Sequence, residues 1–398
     1  MTKKEKIAFG KLNLLRNDIL NSNKKIRIGF IGGGPSSFIG YTHRLAARFD
    51  NRFVFKAGIF SKDIKKSKNF GVALGLDKER CYDSYEKMAL LEAKRIDGIQ
   101  ALGIMTPSGD HLNIAKPFIK KGIHIICDKP LTATVSDAEV LKKLVHKNKV
   151  IFALTHNYSA YPMLREAKKI VTSGKLGKVN LINVEYPQGY TAGIKKKDER
   201  KTLKWRLDKK ISGPSMILSE IGTHAYHLLR YVTELEVKEL AAEVSTLSKE
   251  LTVDDNAFVL LRLNNNARGA IWVSSAATGG ENGLKIRVYG TKGAVEWFQD
   301  DPNNLKFTEL DKPTKIITRA SKGVSNFSLT SSRLAAGHPE GFFEAFANIY
   351  TEFADIINMQ SKKNIVPSYP SIDDGVKGIK FIFAAKKSSK LNSKWIKI

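Results

Sequence analysis

Along the first 150 residues, apolar positions come in short continuous runs separated by amphipathic stretches. The runs at 26–31, 53–60, 100–105, 124–127 and 150–154 have the length of strands buried on both faces, as in a parallel sheet. Between them apolar residues return at helical spacing. Leu112, Ala115 and Ile119 share one face, and Ser136 with Glu139 reads as a capping box that opens a further helix. Strands alternating with helices predict a doubly wound parallel sheet, whose ligands bind at the carboxyl ends of its strands. The turns after Ile31, Phe60, Met105 and Cys127 are therefore expected to line one crevice.

The pattern changes after a helix over 161–173, which Gly174 stops. Strands are predicted over 179–186, 240–244, 257–263, 270–273, 284–289 and 294–298, with a tight hairpin at Gly290–Gly293 joining the last two. Few helices interrupt them, so one large, mainly antiparallel sheet is expected. Long helices follow over 341–359 and 373–388. The expected organisation is an N-terminal arm over 1–24, a first domain over 25–157 and a second over 158–398, with the last helix packing back on the first domain. In the arm, Ile7, Leu12, Leu14 and Leu15 can make one weak helix.

Length agrees with this division, since 398 residues exceed one ordinary core. No apolar run reaches the ~18–20 residues of a membrane span. The basic N-terminus lacks the apolar core of a signal peptide, and Cys81 and Cys127 are too few for a disulfide framework. A cytoplasmic location is expected. The net charge of +27 raises nucleic acid as a partner. Lysines such as Lys120, Lys121, Lys142, Lys143, Lys168 and Lys169 are scattered over expected solvent faces, however, and the dense run 195–201 contains two acids. No arginine-rich arm, zinc pattern or aromatic ribonucleoprotein motif appears. The charge predicts weak attraction to polyanions at low salt and no specific nucleic-acid binding.

Candidate chemistry starts at the first strand end. The run 26–31 flows into Gly32, Gly33 and Gly34, followed by Pro35, Ser36, Ser37 and Phe38. Gly32 and Gly34 supply the G-x-G of a dinucleotide fingerprint, which lets backbone amides approach a pyrophosphate at a helix N-terminus. Ser37 stands where the third glycine is usual, and Gly40 follows three residues on. A ligand-free glycine turn is the bland alternative. At the end of the second strand, Ser61 and Lys62 suit a 2′-phosphate, whereas Asp63, a little late in the chain, suits ribose hydroxyls. NAD and NADP both stay open. Lys129 ends a strand before Pro130, which disfavours helix at the lysine and fixes it at a turn. Glu220 and His224 lie four apart, so on a helix the carboxylate can orient the imidazole and favour its charged form. A helix-stabilising pair is the alternative, and so, with His227, is an E-x-x-x-H-x-x-H metal site, which lacks a further ligand.

These residues resemble the Gfo/Idh/MocA oxidoreductases over about Lys25 to Lys390. The resemblance is carried by Gly32 through Gly40, His43-Arg44-Leu45-Ala46-Ala47-Arg48, Thr155-His156-Asn157-Tyr158, Glu185-Tyr186-Pro187-Gln188-Gly189 and Gly222-Thr223-His224-Ala225. The family's E-K-P matches Asp128-Lys129-Pro130, its D-x-x-x-H matches Glu220 to His224, and Trp205-Arg206 matches a pair near the cofactor's reactive end. The resemblance implies a Rossmann domain joined to an α+β domain with an open sheet. It places Gly32, Gly33, Gly34, Pro35, Ser36, Ser37, Phe38, Ser61, Lys62, Thr106, Pro107, His111, Asp128, Lys129, Asn157, Trp205 and Arg206 around NAD or NADP. It places Lys129, Asn157, Tyr158, Tyr186, Gln188, Glu220 and His224 around a sugar-like substrate. The implied activity is hydride transfer at a secondary alcohol of a sugar, sugar derivative or cyclitol, without a metal. Lys129 would bind the reacting oxygen, His224 would exchange its proton and Glu220 would orient His224. A homodimer or homotetramer formed through the open sheet is implied as well. A catalytically silent nucleotide-binding sensor is the alternative from another class. A third possibility is a net non-redox enzyme that oxidises its sugar transiently with a tightly held cofactor.

Overall fold

The computed structural model describes residues 25–359 and 367–398; the expected N-terminal arm and its helix lie outside them. The short apolar runs form β1 (Ile26–Gly32), β2 (Phe53–Ile59), β3 (Ala101–Met105), β4 (His124–Cys127) and β5 (Phe152–Leu154). They make a parallel sheet in the order β2-β1-β3-β4-β5. All five residues of β3 are buried, which explains a run with no polar alternation. The crossovers carry α1 (Phe38–Phe49), α2 (Ile64–Ala73), α3 (Tyr85–Glu92), α4 (His111–Ile119) and α5 (Val135–Lys147). The cap of α5 differs from the expected Ser136. Thr134 is extended and its hydroxyl accepts from the Asp137 amide, because the same hydroxyl-x-x-acid spacing occurs two residues earlier.

The second sheet has nine strands: β6 (Val179–Pro187), β7 (Val237–Ser245), β8 (Asn256–Leu263), β9 (Arg268–Ser274), β10 (Lys285–Gly290), β11 (Gly293–Phe298), β12 (Asn304–Glu309), β13 (Lys315–Thr318) and β14 (Ile396–Lys397). Their order is β13-β12-β11-β10-β6-β9-β8-β7-β14, antiparallel except for the β6–β9 pair. Along β8, Ala257, Val259, Leu261 and Leu263 are buried, while Phe258 and Leu260 are exposed. The outer face therefore keeps apolar groups, including Leu181 and a Phe258–Trp272 stack at 6.0 Å.

Further helices are α6 (Pro162–Thr172), α7 (Lys196–Leu203), α8 (Lys209–Ser212), α9 (Thr223–Thr233), α10 (Asn326–Leu329), α11 (Phe342–Asn358) and α12 (Ile372–Lys390). Two of them join the sheets. α11 packs on α1, where the Tyr350 hydroxyl lies 2.8 Å from His43 Nδ1 and Thr351 donates to Asp50 at 2.6 Å. α12 packs on α5 and β7. Its approach is fixed by Leu154 N–H donating to the Pro370 carbonyl at 2.8 Å, by Arg230–Asp374 at 3.0 Å and by Ala242 N–H donating to Ser388 Oγ at 2.8 Å. Among the described residues no helix is long and apolar enough to cross a membrane.

Candidate active site

The glycine turn is built by close approach. Gly32 and Gly33 have φ of +88° and +64°, a region that disfavours side chains. A Cβ on Gly34 would stand 2.4 Å from the Phe60 carbonyl oxygen. A Cβ on Gly40 would stand 2.3 Å from Gly33 Cα, so Gly40 allows the close helix–turn contact that the fingerprint's third glycine serves. Ser37 caps α1 by accepting from the Gly40 amide at 3.1 Å. Behind the turn, Arg44 donates to the Gly33 carbonyl and lies over the Phe70 ring. A cavity of about 590 Å³ opens beside it, lined by Pro35, Ser36, Ser37, Phe38, Arg44 and Arg48 among others.

After β2, Asp63 turns toward its own helix. Its carboxylate accepts from the Lys66 amide at 3.1 Å and lies 3.9 Å from Lys66 Nζ. The Asp63 amide in turn donates to Ser61 Oγ at 3.1 Å. Lys62 is exposed.

His111 does not face the crevice as expected. It is fully buried, with Nε2 2.9 Å from the Thr106 carbonyl and Nδ1 3.0 Å from the Leu131 carbonyl. The ring thus lies between the turns after β3 and β4, with Cys127 Sγ also 3.3 Å from Nδ1. Thr106 Oγ1 and Asn157 Nδ2 are buried and have no partner among the described residues. Orphaned polar atoms at strand ends, beside a turn that admits no side chain, fit a nicotinamide dinucleotide.

Asp128 sits in a network, accepting from Thr155 Oγ1 at 3.0 Å and lying 3.7 Å from His43 Nε2. Burial pushes its carboxyl up, but His43 and Lys129 outweigh that and hold it at about 2. Next to it, Lys129 Nζ donates to the backbone carbonyl of Glu220 at 2.7 Å.

Glu220 lies in one wide π-turn, Leu218–Gly222, that leads into α9. Its carboxylate does not orient His224. It pairs with Arg206 at 3.0 Å, and the Arg206 guanidinium lies 4.7 Å from the Trp205 ring centroid. The π-turn disturbs the four-residue register that the sequence suggested, and Arg206 supplies a full opposite charge. Burial lowers the Arg206 pKa, but Glu220 more than compensates.

His224 meets His156 instead, Nδ1 to Nδ1 at 3.3 Å. Its ring lies edge-on to Tyr158 at 4.8 Å. Burial first, then Lys129, His156 and His227, push the imidazole well below its ordinary pKa, the opposite of the charged form expected beside a carboxylate. The Tyr158 and Tyr186 hydroxyls bond to each other, and Gln188 donates to Asn282 at 2.7 Å. The site residues read from the sequence did not include His156, His43 or Asn282, although His43 and His156 stand in stretches that carry the resemblance. His156 had a signal: it stands beside Asn157 in a stretch already singled out.

A glycine turn on β1 and a crevice at the strand ends define an NAD-binding oxidoreductase. The model of the oxidoreductase family with an NAD-binding Rossmann fold matches residues 26–156, and that of the GFO/IDH/MocA C-terminal domain matches 164–296. The chain belongs to the Gfo/Idh/MocA family, and within it to proteins of the sugar or inositol dehydrogenase type. It is 35% identical to the uncharacterised oxidoreductase YfiI of Bacillus subtilis, over 94% of this chain and 97% of the relative. A crystal structure of an oxidoreductase from Sinorhizobium meliloti is 42% identical with a TM-score of 0.85, covering 94% of this chain and all of the other. An inositol dehydrogenase homologue from Azotobacter vinelandii, crystallised with NADH and myo-inositol, is 32% identical with a TM-score of 0.86, covering 94% and 98% of the two chains.

Proposed function

We propose that this protein transfers hydride between a nicotinamide dinucleotide and a secondary alcohol or ketone of a sugar, sugar derivative or cyclitol. One observation carries the reading. Lys129, from the end of β4, donates to the carbonyl of Glu220, four residues ahead of His224, and its charge helps depress the His224 pKa. An ammonium at the end of a first-sheet strand and an imidazole on α9 thus lie near one another.

The turn at Gly32, Gly33 and Gly34, with Ser36 and Ser37, would hold the pyrophosphate, while Thr106, Asn157, Trp205 and Arg206 would border the reactive end. With Asp63 engaged by α2, the ribose end offers Ser61 and Lys62, which fit a 2′-phosphate. The bound nicotinamide supplies a hydride acceptor or donor. In the oxidising direction neutral His224 takes the hydroxyl proton at a ring nitrogen. Lys129 donates to the same oxygen and stabilises its developing negative charge. Tyr158, Tyr186, Gln188 and Asn157 offer polar groups to the remaining hydroxyls. The apolar outer face of the nine-stranded sheet, with Leu181, Phe258 and Leu260, supports self-association.

The test is a panel of polyols, myo-inositol and sugars offered with NAD⁺ and with NADP⁺, followed at the absorbance of reduced nicotinamide. Turnover is expected with at least one. It should fall ~100- to 10,000-fold in Lys129→Ala and in His224→Ala, the range for a positioned acid–base group. Near-normal turnover in both variants would overturn the mechanism. Dinucleotide binding without turnover of any substrate would instead place the chain among silent nucleotide binders.

A further inference from the structure

We propose that His156 is a positioning residue for His224, holding it in the tautomer whose bare Nε2 receives the substrate proton; this rests on the reading above. The two Nδ1 atoms are 3.3 Å apart, with the rings at 83°. Two imidazole nitrogens at that distance are joined by one proton, so one ring donates and the other accepts. Both residues are buried, at 2% and 7% exposure, so water does not readily replace that bond. Among the described residues no carboxylate bonds to either ring, since Glu220 is taken by Arg206.

The groups around His156 keep it uncharged, which leaves its Nδ1 able to accept. His227 stacks on it at 4.9 Å and 12°, and neither His227 ring nitrogen has a partner among the described residues. His227 and the Lys129 ammonium disfavour a charged His156, Asp374 and Asp128 favour one, and burial outweighs them all. His156 therefore stays neutral and can accept. With His224 Nδ1–H donated to His156 Nδ1, the His224 Nε2 lone pair is free for the substrate. When the substrate O–H breaks and the Nε2–H forms, His224 becomes an imidazolium. Its Nδ1–H then donates a stronger, charge-assisted bond to the same acceptor. The acceptor is already in place before charge develops, which is how an orienting group assists catalysis.

The test uses the full chain labelled with ¹⁵N-histidine. In the unsubstituted protein, ¹⁵N NMR above pH 7 should show His224 protonated at Nδ1; protonation at Nε2 would overturn the proposal without any variant. In His156→Asn the amide oxygen can stand near the lost Nδ1 and accept, so the tautomer and most of kcat should remain. In His156→Phe the ring volume remains but the acceptor is gone. There the Nδ1–H tautomer should be lost and kcat should fall about 100-fold, the lower end for an acid–base group, with KM little changed. Unchanged tautomer and kcat in His156→Phe would also overturn it. The tautomer is read without turnover, so a protein that oxidises no polyol would contradict the proposed function and leave the His156–His224 result to be judged separately.

Discussion

Lys129 Nζ and the Glu220 carbonyl oxygen, 2.7 Å apart, bind the end of β4 to the turn that leads into the helix of His224. The bond uses the Glu220 backbone and leaves its carboxylate to Arg206. In the proposed mechanism the Glu220 side chain is thus separated from proton transfer. Glu220→Gln keeps the carbonyl and replaces a partly buried ion pair, its side chains 30% and 18% exposed, with a neutral hydrogen bond. Its kcat should stay within about tenfold of the unsubstituted enzyme, while His224→Ala loses ~100- to 10,000-fold. Steady-state kinetics of the two variants side by side decide the matter, and equal losses would restore Glu220 as the orienting group.

The contact between α1 and the glycine turn leaves no space for a methyl group. Gly40→Ala would force a Cβ to 2.3 Å from Gly33 Cα, and overpacking of this kind costs about 1–3 kcal/mol. A lower Tm and weaker nucleotide binding by fluorescence titration are expected together. Gly193→Ala is the control, because nothing lies within 4 Å of its added Cβ; it should change neither.

Three buried histidines set a pH dependence of stability. Burial is the largest cause of the low pKa of His156, His224 and His227, the last held at about 4. The unfolded chain takes up these protons near the ordinary value of about 6.5, before the folded chain does. Between those values the unfolded state binds more protons, so stability rises with pH. It is fully present above pH ~7 and is lost as pH falls through 6 and below. The Tm should fall progressively from pH 7 to 5, and His227→Phe should flatten that slope. A Tm independent of pH over this interval would contradict the buried neutral assignment.

Lys62 should govern the choice between dinucleotides. Its neighbour Asp63 is engaged at the start of α2, and the first turn adds Lys65 and Lys66, a positive setting for a phosphate. Reversing the charge in Lys62→Asp should move the NADP/NAD affinity ratio at least about tenfold toward NAD, equivalent to ~1.4 kcal/mol. Calorimetric titration with both dinucleotides measures it. An unchanged ratio would remove Lys62 from the ribose end.

Much of the fold was legible because buried parallel strands are short apolar runs, and the first sheet shows each one. The hairpin at Gly290–Gly293 was legible from its two glycines between strand-like runs. Three strands were not. β12 and β13 lie toward one edge and mix polar residues freely, and β14 has two residues and exists only by pairing with β7. The parallel β6–β9 pairing is a long-range relationship with no local signature. At the site, Lys129 and His224 could be picked out by their settings together with the family resemblance. The Glu220 partner could not, because one π-turn and a distant arginine decide it. Nor could the inward turn of His111, which depends on carbonyls from two separate loops.

The helix over 372–390 has a consequence for the order in which the molecule can be completed. Every group assigned to the crevice is synthesised by about residue 224, yet the segment that clamps β5 and α9 is made much later, with Pro370 and Asp374 supplying the grip. A nascent chain can form its first sheet early but must wait for the segment at 370–390 before these contacts can form. Removing 370–390 therefore removes a fastener of the candidate active site.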